Sequence, residues 1–279
     1  MEYRISPFLV VAVSLTLLHR GLIFADDVNN TDGSEALKTE THKQIVAQFK
    51  QILERNKIVS QGAKPVVGEL CAEPILNWDD IERGHYYGTL WIWGQKKGRP
   101  TAIIEMFTDN LEKRVIGWPS NVVHSLSTDL VRPEGPSWNW APKKPGLELK
   151  KLVGVPEPAA TSKLRRIQMR TLAKRFTSDE TYQGQHQLRL LPTAVYLNDS
   201  ADDGILEGGI FAFVHGGTNP ELMLILEAIE QNKERYWQYG CARLTHGSVR
   251  VNFDQQEVWS VEFYVNWDPA SPYYKLTPQ

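Results

Sequence analysis

Apolar and polar positions follow two rhythms along the chain, and each rhythm occurs twice. Within residues 39–56, Ile45, Phe49, Ile52 and Leu53 recur at helical spacing. Within residues 161–177, Met169, Leu172, Ala173 and Phe176 do the same. Both stretches predict amphipathic helices. A two-residue rhythm follows each of them. Residues 86–93 and 101–107 flank the turn Lys96-Lys97-Gly98-Arg99-Pro100, and residues 209–214 and 221–230 flank Gly216-Gly217-Thr218-Asn219-Pro220. Each set predicts an antiparallel hairpin. Residues 187–197, 236–245 and 248–253 read as further strands. Residues 115–127 read as a broken strand and 147–153 as a short one. Residues 257–264 fit either a strand or a short helix. Residues 133–145 hold four prolines together with Trp138 and Trp140, and predict a loop.

The recurrence has a fixed spacing. Gly84-x-x-x-Gly88 and Gly204-x-x-x-Gly208, Leu90-Trp91-Ile92-Trp93 and Ile210-Phe211-Ala212-Phe213, and Pro100 and Pro220 all stand 120 residues apart. Ser125-Leu126-Ser127 and Arg243-Leu244-Thr245 stand 118 apart. Alternate strand residues share a face, so Trp91 with Trp93 and Phe211 with Phe213 need a cover, which the helices can supply. The expected fold is therefore α+β, with two tandem related units at 39–157 and 158–279. Each unit is an amphipathic helix followed by an antiparallel β-meander. The run Leu222-Met223-Leu224-Ile225-Leu226 is apolar throughout, which predicts burial on both faces, with the two units packed sheet to sheet or sharing one larger sheet.

The N-terminal segment stands apart. Residues 5–18 carry no charge, His19-Arg20 interrupts the run, and Ile23-Phe24-Ala25 precedes Asp26-Asp27. This is the pattern of a secretory signal peptide cut near Ala25, with residues 26–38 as a flexible linker. The run is too short for a spanning helix, which needs about 20 apolar residues. The expected location is periplasmic or extracellular. The net charge of −2 in 279 residues gives no general attraction to nucleic acid.

Candidate chemistry is sparse. The two cysteines, Cys71 and Cys241, can form one disulfide in an exported chain or serve as small buried hydrophobes. The histidines are scattered without metal-ligand spacing, and no metal or other cofactor is expected. Glycine-rich phosphate loops, nucleophile elbows and zinc-protease motifs are absent. His124 lies near Ser125 and Ser127, and Glu105 and Glu227 are acids inside apolar strands. These three are the acid/base candidates of a hydrolase reading. Trp138 and Trp140 offer aromatic faces for sugars or partner side chains, or else fold back to plug a sheet. Lys163, Arg166, Arg170 and Lys174 form one basic ridge, suited to an anionic polymer or a solvated helix face.

Several short motifs resemble a family of exported proteins common in planctomycete bacteria. They include Leu188-Arg189-Leu190-Leu191-Pro192, Gly208-Gly209-Ile210-Phe211-Ala212-Phe213-Val214, Glu257-Val258-Trp259-Ser260 and His124-Ser125-Leu126-Ser127. The resemblance implies a bacterial exported protein with one architecture over the mature chain. The family carries no assigned activity. The sequence thus leads to an exported, non-enzymatic binding or interaction protein, with an anionic envelope polymer or another exported protein as partner. The alternative is an envelope hydrolase with its site at the junction of the two units.

Overall fold

The computed structural model describes residues 31–80, 86–109, 119–135, 138–199 and 204–276. The proposed signal peptide, Gly84 and residues 115–118 lie outside them. The first half comprises α1 (Thr31–Leu53), β1 (Lys57–Ser60), β2 (Val67–Leu70), β3 (Leu76–Asp80), β4 (Tyr86–Gly94), β5 (Ala102–Asp109), β6 (Ser120–Ser125) and β7 (Val131–Glu134). The connecting arm carries β8 (Lys150–Lys151). The second half comprises α2 (Ser162–Ala173), β9 (Phe176–Thr181), β10 (Gln185–Leu190), β11 (Tyr196–Asn198), β12 (Ile205–His215), β13 (Asn219–Gln231), β14 (Glu234–Arg243), β15 (Ser248–Phe253) and β16 (Gln256–Val261). The tail adds β17 (Tyr273–Tyr274).

The α+β expectation is overturned. Nearly half of the described residues lie in strands, which form two curled antiparallel sheets, and only two short helices stand among those residues. The units are not helices laid over open meanders. Strands β1–β3 and β9, together with β10 and β11 in place of the single strand expected at 187–197, extend each hairpin into a curl. Strands β3 and β9 escape notice because their inward positions include polar residues: Asp80, Ser178 and Glu180 are all buried.

The first sheet runs β7-β1-β2-β4-β5-β6-β17, with β3 also on β4. The second runs β16-β15-β9-β10-β12-β13-β14-β8, with β11 also on β12. The registers correspond as well as the order. Leu70 faces Trp93 as Leu190 faces Phe213, and Trp78 faces Gly88 as Asn198 faces Gly208. Trp91 faces Ile104 as Phe211 faces Leu224, and Val123 faces Ile104 as Cys241 faces Leu224. Gly88 is required by close approach, since a Cβ there would lie 2.2 Å from the Trp78 ring. At Gly208 a Cβ would lie 2.2 Å from Asn198 Oδ1.

Three apolar layers hold the fold. Trp91 and Trp93 pack with Ile45, Phe49 and Leu53 of α1. Phe211 and Phe213 pack with Met169, Leu172 and Ala173 of α2. Between the sheets, Leu90, Ile92 and Ile103 meet Ile210, Met223 and Ile225. Residues 222–226 are at most 3% exposed, so β13 is buried on both faces. Contacts across the junction are reciprocal. The β12–β13 turn meets Asp79, whose carbonyl accepts from Thr218 N–H at 3.2 Å, and the β4–β5 turn meets Asp199, whose N–H donates to Lys97 O at 3.0 Å. Each half thus sets its long-hairpin turn against the other half, at Asp79 by β3 and at Asp199 by β11. The two edge strands are exchanged: β8 of the connecting arm pairs with β14, and β17 of the tail pairs with β6.

Candidate functional site

Exchange brings the connecting arm and the tail together beside β6 and β14. There a cavity of about 670 Å³ opens along the seam between the two borders of the second sheet. One wall is residues 144–148 of the arm, and the other is residues 259–264, at and beyond the end of β16. Its inner end is formed by His124, Arg243 and Tyr273. This size and mixture of aromatic and polar lining are those of ligand sites.

Arg243 is 6% exposed. Its guanidinium donates to the carbonyls of Thr245 (2.8 Å), Glu262 (2.8 Å) and Gly247. It also lies over the rings of Tyr273 (5.1 Å) and Tyr264 (5.7 Å), so it clamps the 262–264 wall to the end of β14. Burial lowers its affinity for a proton. Tyr273 donates to Leu244 O at 3.2 Å, and burial raises its phenol well above the ordinary value. Tyr264 meets Tyr273 edge-on at 5.2 Å and Trp267 at 5.2 Å. Phe263 and Trp267 are 47% and 40% exposed, so the aromatic cluster reaches solvent. At the rim, Glu262 is exposed and Glu148 stands 3.6 Å from Lys150.

The sequence candidates are dispersed. His124 lines the cavity, but burial lowers it to about 4, so it is neutral at pH 7. Its Nδ1 is 2.7 Å from Ser125 O, which places the proton there. The neighbouring hydroxyl oxygens are engaged locally: Ser125 Oγ accepts from Ser127 N–H and Ser127 Oγ accepts from Asp129 N–H. Glu227 is gripped by Arg99 through two bonds of 2.8 and 2.7 Å and by Gln238 at 2.7 Å. Glu105 is buried on β5 at 4% exposure. Neither acid lines the cavity.

Trp140 is 1% exposed and donates to Ser271 O at 2.9 Å, while Trp138 meets Trp93 edge-on at 5.4 Å. Their loop is a plug on the first sheet. Of the basic ridge, Lys163, Arg166, Arg170 and Lys174 are all exposed, and Arg166 also binds buried Glu207 at 2.6 Å. Cys71 and Cys241 are free thiols, so the disulfide option is not taken. Cys71 Sγ accepts from Ile92 N–H at 3.4 Å, and burial raises both thiols. Each fills a slot that the other half gives to a hydrocarbon side chain, Leu191 and Val123 respectively.

Sequence reasoning missed Arg243 and the 259–264 wall. Trp259, Phe263, Tyr264, Trp267, Tyr273 and Tyr274 crowd into one short stretch, and that density was the available signal. Among the described residues no group of side chains is arranged to hold a metal ion, and no helix is long and apolar enough to cross a membrane. No family model, curated protein or solved structure matches the chain.

Proposed function

We propose that this is an exported bacterial binding protein whose ligand site is the seam cavity of the second sheet. One observation carries the reading. Two sheets of the same strand order are finished differently: the first seam holds its own Trp138–Trp140 loop, and the second keeps a cavity of about 670 Å³. The side chains suited to acid or base work are spent elsewhere, Glu227 on Arg99 and His124 on a backbone carbonyl. In favour of the hydrolase alternative stands the position of His124 in the cavity wall; a nucleophile or acid beside it is what that reading still needs. The export signal and the planctomycete-type motifs support a place in the cell envelope. The two sheets read as copies of one curled β unit, duplicated in tandem and joined by exchanged edge strands.

Binding is tested with indole as a minimal aromatic probe. Amide shifts followed by NMR should move in residues 144–148 and 259–264 and saturate as one site. Shifts scattered over the surface, or centred on α2, would overturn the assignment.

A further inference from the structure

Among the described residues strand β16 pairs with β15 alone, so it ends the second sheet with one open edge, and its Trp259 and Val261 line the seam cavity. Two hollows flank the strand. Trp259 and Phe263 line the large cavity, Glu257 and Ser260 line a smaller one of about 230 Å³ with Asp179 and Arg250, and Val261 and Glu262 border both. An open edge flanked by side-chain pockets is the arrangement that captures an extended peptide.

The molecule itself shows what fills such a seam. In the first half, the occupant is the segment 138–143. It donates Ala141 N–H to Pro269 O at 2.8 Å and Lys143 N–H to Ala270 O at 2.9 Å, and it seats the Trp138 and Trp140 indoles. Two lysines, Lys143 and Lys144, follow the indoles. The second seam offers complementary parts: the β16 edge, the Trp259 and Tyr264 walls, and the acidic Glu262 at the rim, while the other rim acid, Glu148, stands by Lys150, and Lys144 also lines the cavity. A second copy of this chain is a poor donor, because its own Trp140 is 1% exposed and bonded to Ser271.

We infer that the second seam binds an extended segment of another protein, with an aromatic-x-aromatic motif followed by a basic residue. The segment adds to β16 through main-chain hydrogen bonds, seats its aromatic rings in the cavity and meets Glu262 with its cation. This rests on the binding reading above and names its ligand class.

The probe is a synthetic peptide with the sequence of residues 138–144, titrated calorimetrically into the full chain. One site is expected. Replacing both tryptophans of the peptide by alanine should weaken binding at least tenfold, as should Glu262→Lys in the protein. N-methylating one alternating set of peptide amides should abolish binding, while methylating the other set leaves it within about threefold, because only one side of a strand pairs with an edge. Equal binding of the alanine peptide, or indifference to both methylated sets, overturns the proposal. Indole separates the two levels. If indole binds the cavity and the peptide does not, the peptide inference falls and the cavity reading stands; if neither binds, both fall.

Discussion

The two seams differ where the two sheets otherwise agree. Downstream of β7, the first half spends its residues on a tryptophan plug that reaches Ser271 and Trp93. Downstream of the corresponding β15, the second half folds back as β16 and then as the aromatic wall at 259–264. One seam is sealed by the chain and the other is bounded by it. A shared scaffold of strand order and register can thus carry different edges, and chemistry that differs between the halves sits at those edges.

The largest effect is expected at the plug. Trp140→Ala should lower the unfolding free energy by about 3–5 kcal/mol in urea, the usual cost of emptying a large core slot. Trp259→Ala, in the open seam, should cost about 1 kcal/mol. Equal losses would erase the distinction between sealed and open seams.

The next effect is one of pH. His124 on β6 corresponds to Ala242 on β14, so only the first half carries a titrating group at this position. Its folded value of about 4 lies below the ordinary 6.5, so the unfolded chain takes up the proton first. Stability from the neutral imidazole is therefore complete above pH 6.5 and is lost as pH falls from there through about 4. The loss amounts to about 3 kcal/mol for a shift of this size. Arg243 nearby adds to the penalty for the charged ring. Denaturant titrations of wild type and His124→Gln should show the steeper acid slope only in wild type. Parallel slopes would show that His124 protonates freely.

A smaller loss is expected at the junction. Arg99 is the first sheet's grip on the second, through Glu227. Removing one member of a buried pair costs about 3–5 kcal/mol. Because Arg99 is one-fifth exposed and Gln238 remains on Glu227, Arg99→Ala should cost about 2 kcal/mol, read from urea midpoints. No change would mean that the Arg99–Glu227 pair adds nothing to the apolar packing and backbone hydrogen bonds of the junction.

The smallest effect lies on the helices. The ridge positions Lys163, Arg166, Arg170 and Lys174 of the second half correspond to Lys43, Val46, Lys50 and Glu54 of the first. Replacing Lys163, Arg170 and Lys174 by glutamate should leave stability within about 0.5 kcal/mol. Retention on an anionic matrix at low salt should fall if the ridge meets an anionic polymer. Unchanged retention would leave the ridge a solvated surface.

Legibility in the sequence followed physical contrast. The β4–β5 and β12–β13 hairpins were readable because apolar alternation met glycine and proline at the turns. The turns Asn232-Lys233 and Asp254-Gln255 take positive φ without glycine, so the β13–β14 and β15–β16 hairpins announced themselves poorly. Strands such as β9 hide buried Ser178 and Glu180 among polar neighbours, which is why a curled sheet was mistaken for an open meander beneath a helix. The cavity was illegible for another reason. Leu147, Arg243 and Tyr264 meet only after the arm and the tail have crossed to opposite sheets, and no local pattern encodes that crossing.

That crossing bears on how the chain is made. Domains ordinarily fold in the order they leave the ribosome or translocon. Here the first sheet is complete only when Tyr273 and Tyr274 reach β6, and Asn121 waits for Leu276, whose N–H it accepts at 2.9 Å. The half that emerges first therefore keeps an unfinished border until residues 273–276, on the far side of the second sheet in sequence, have emerged. Maturation becomes a single late event, and truncation near Ser271 should leave an early-emerging half that binds chaperones in place of its own tail.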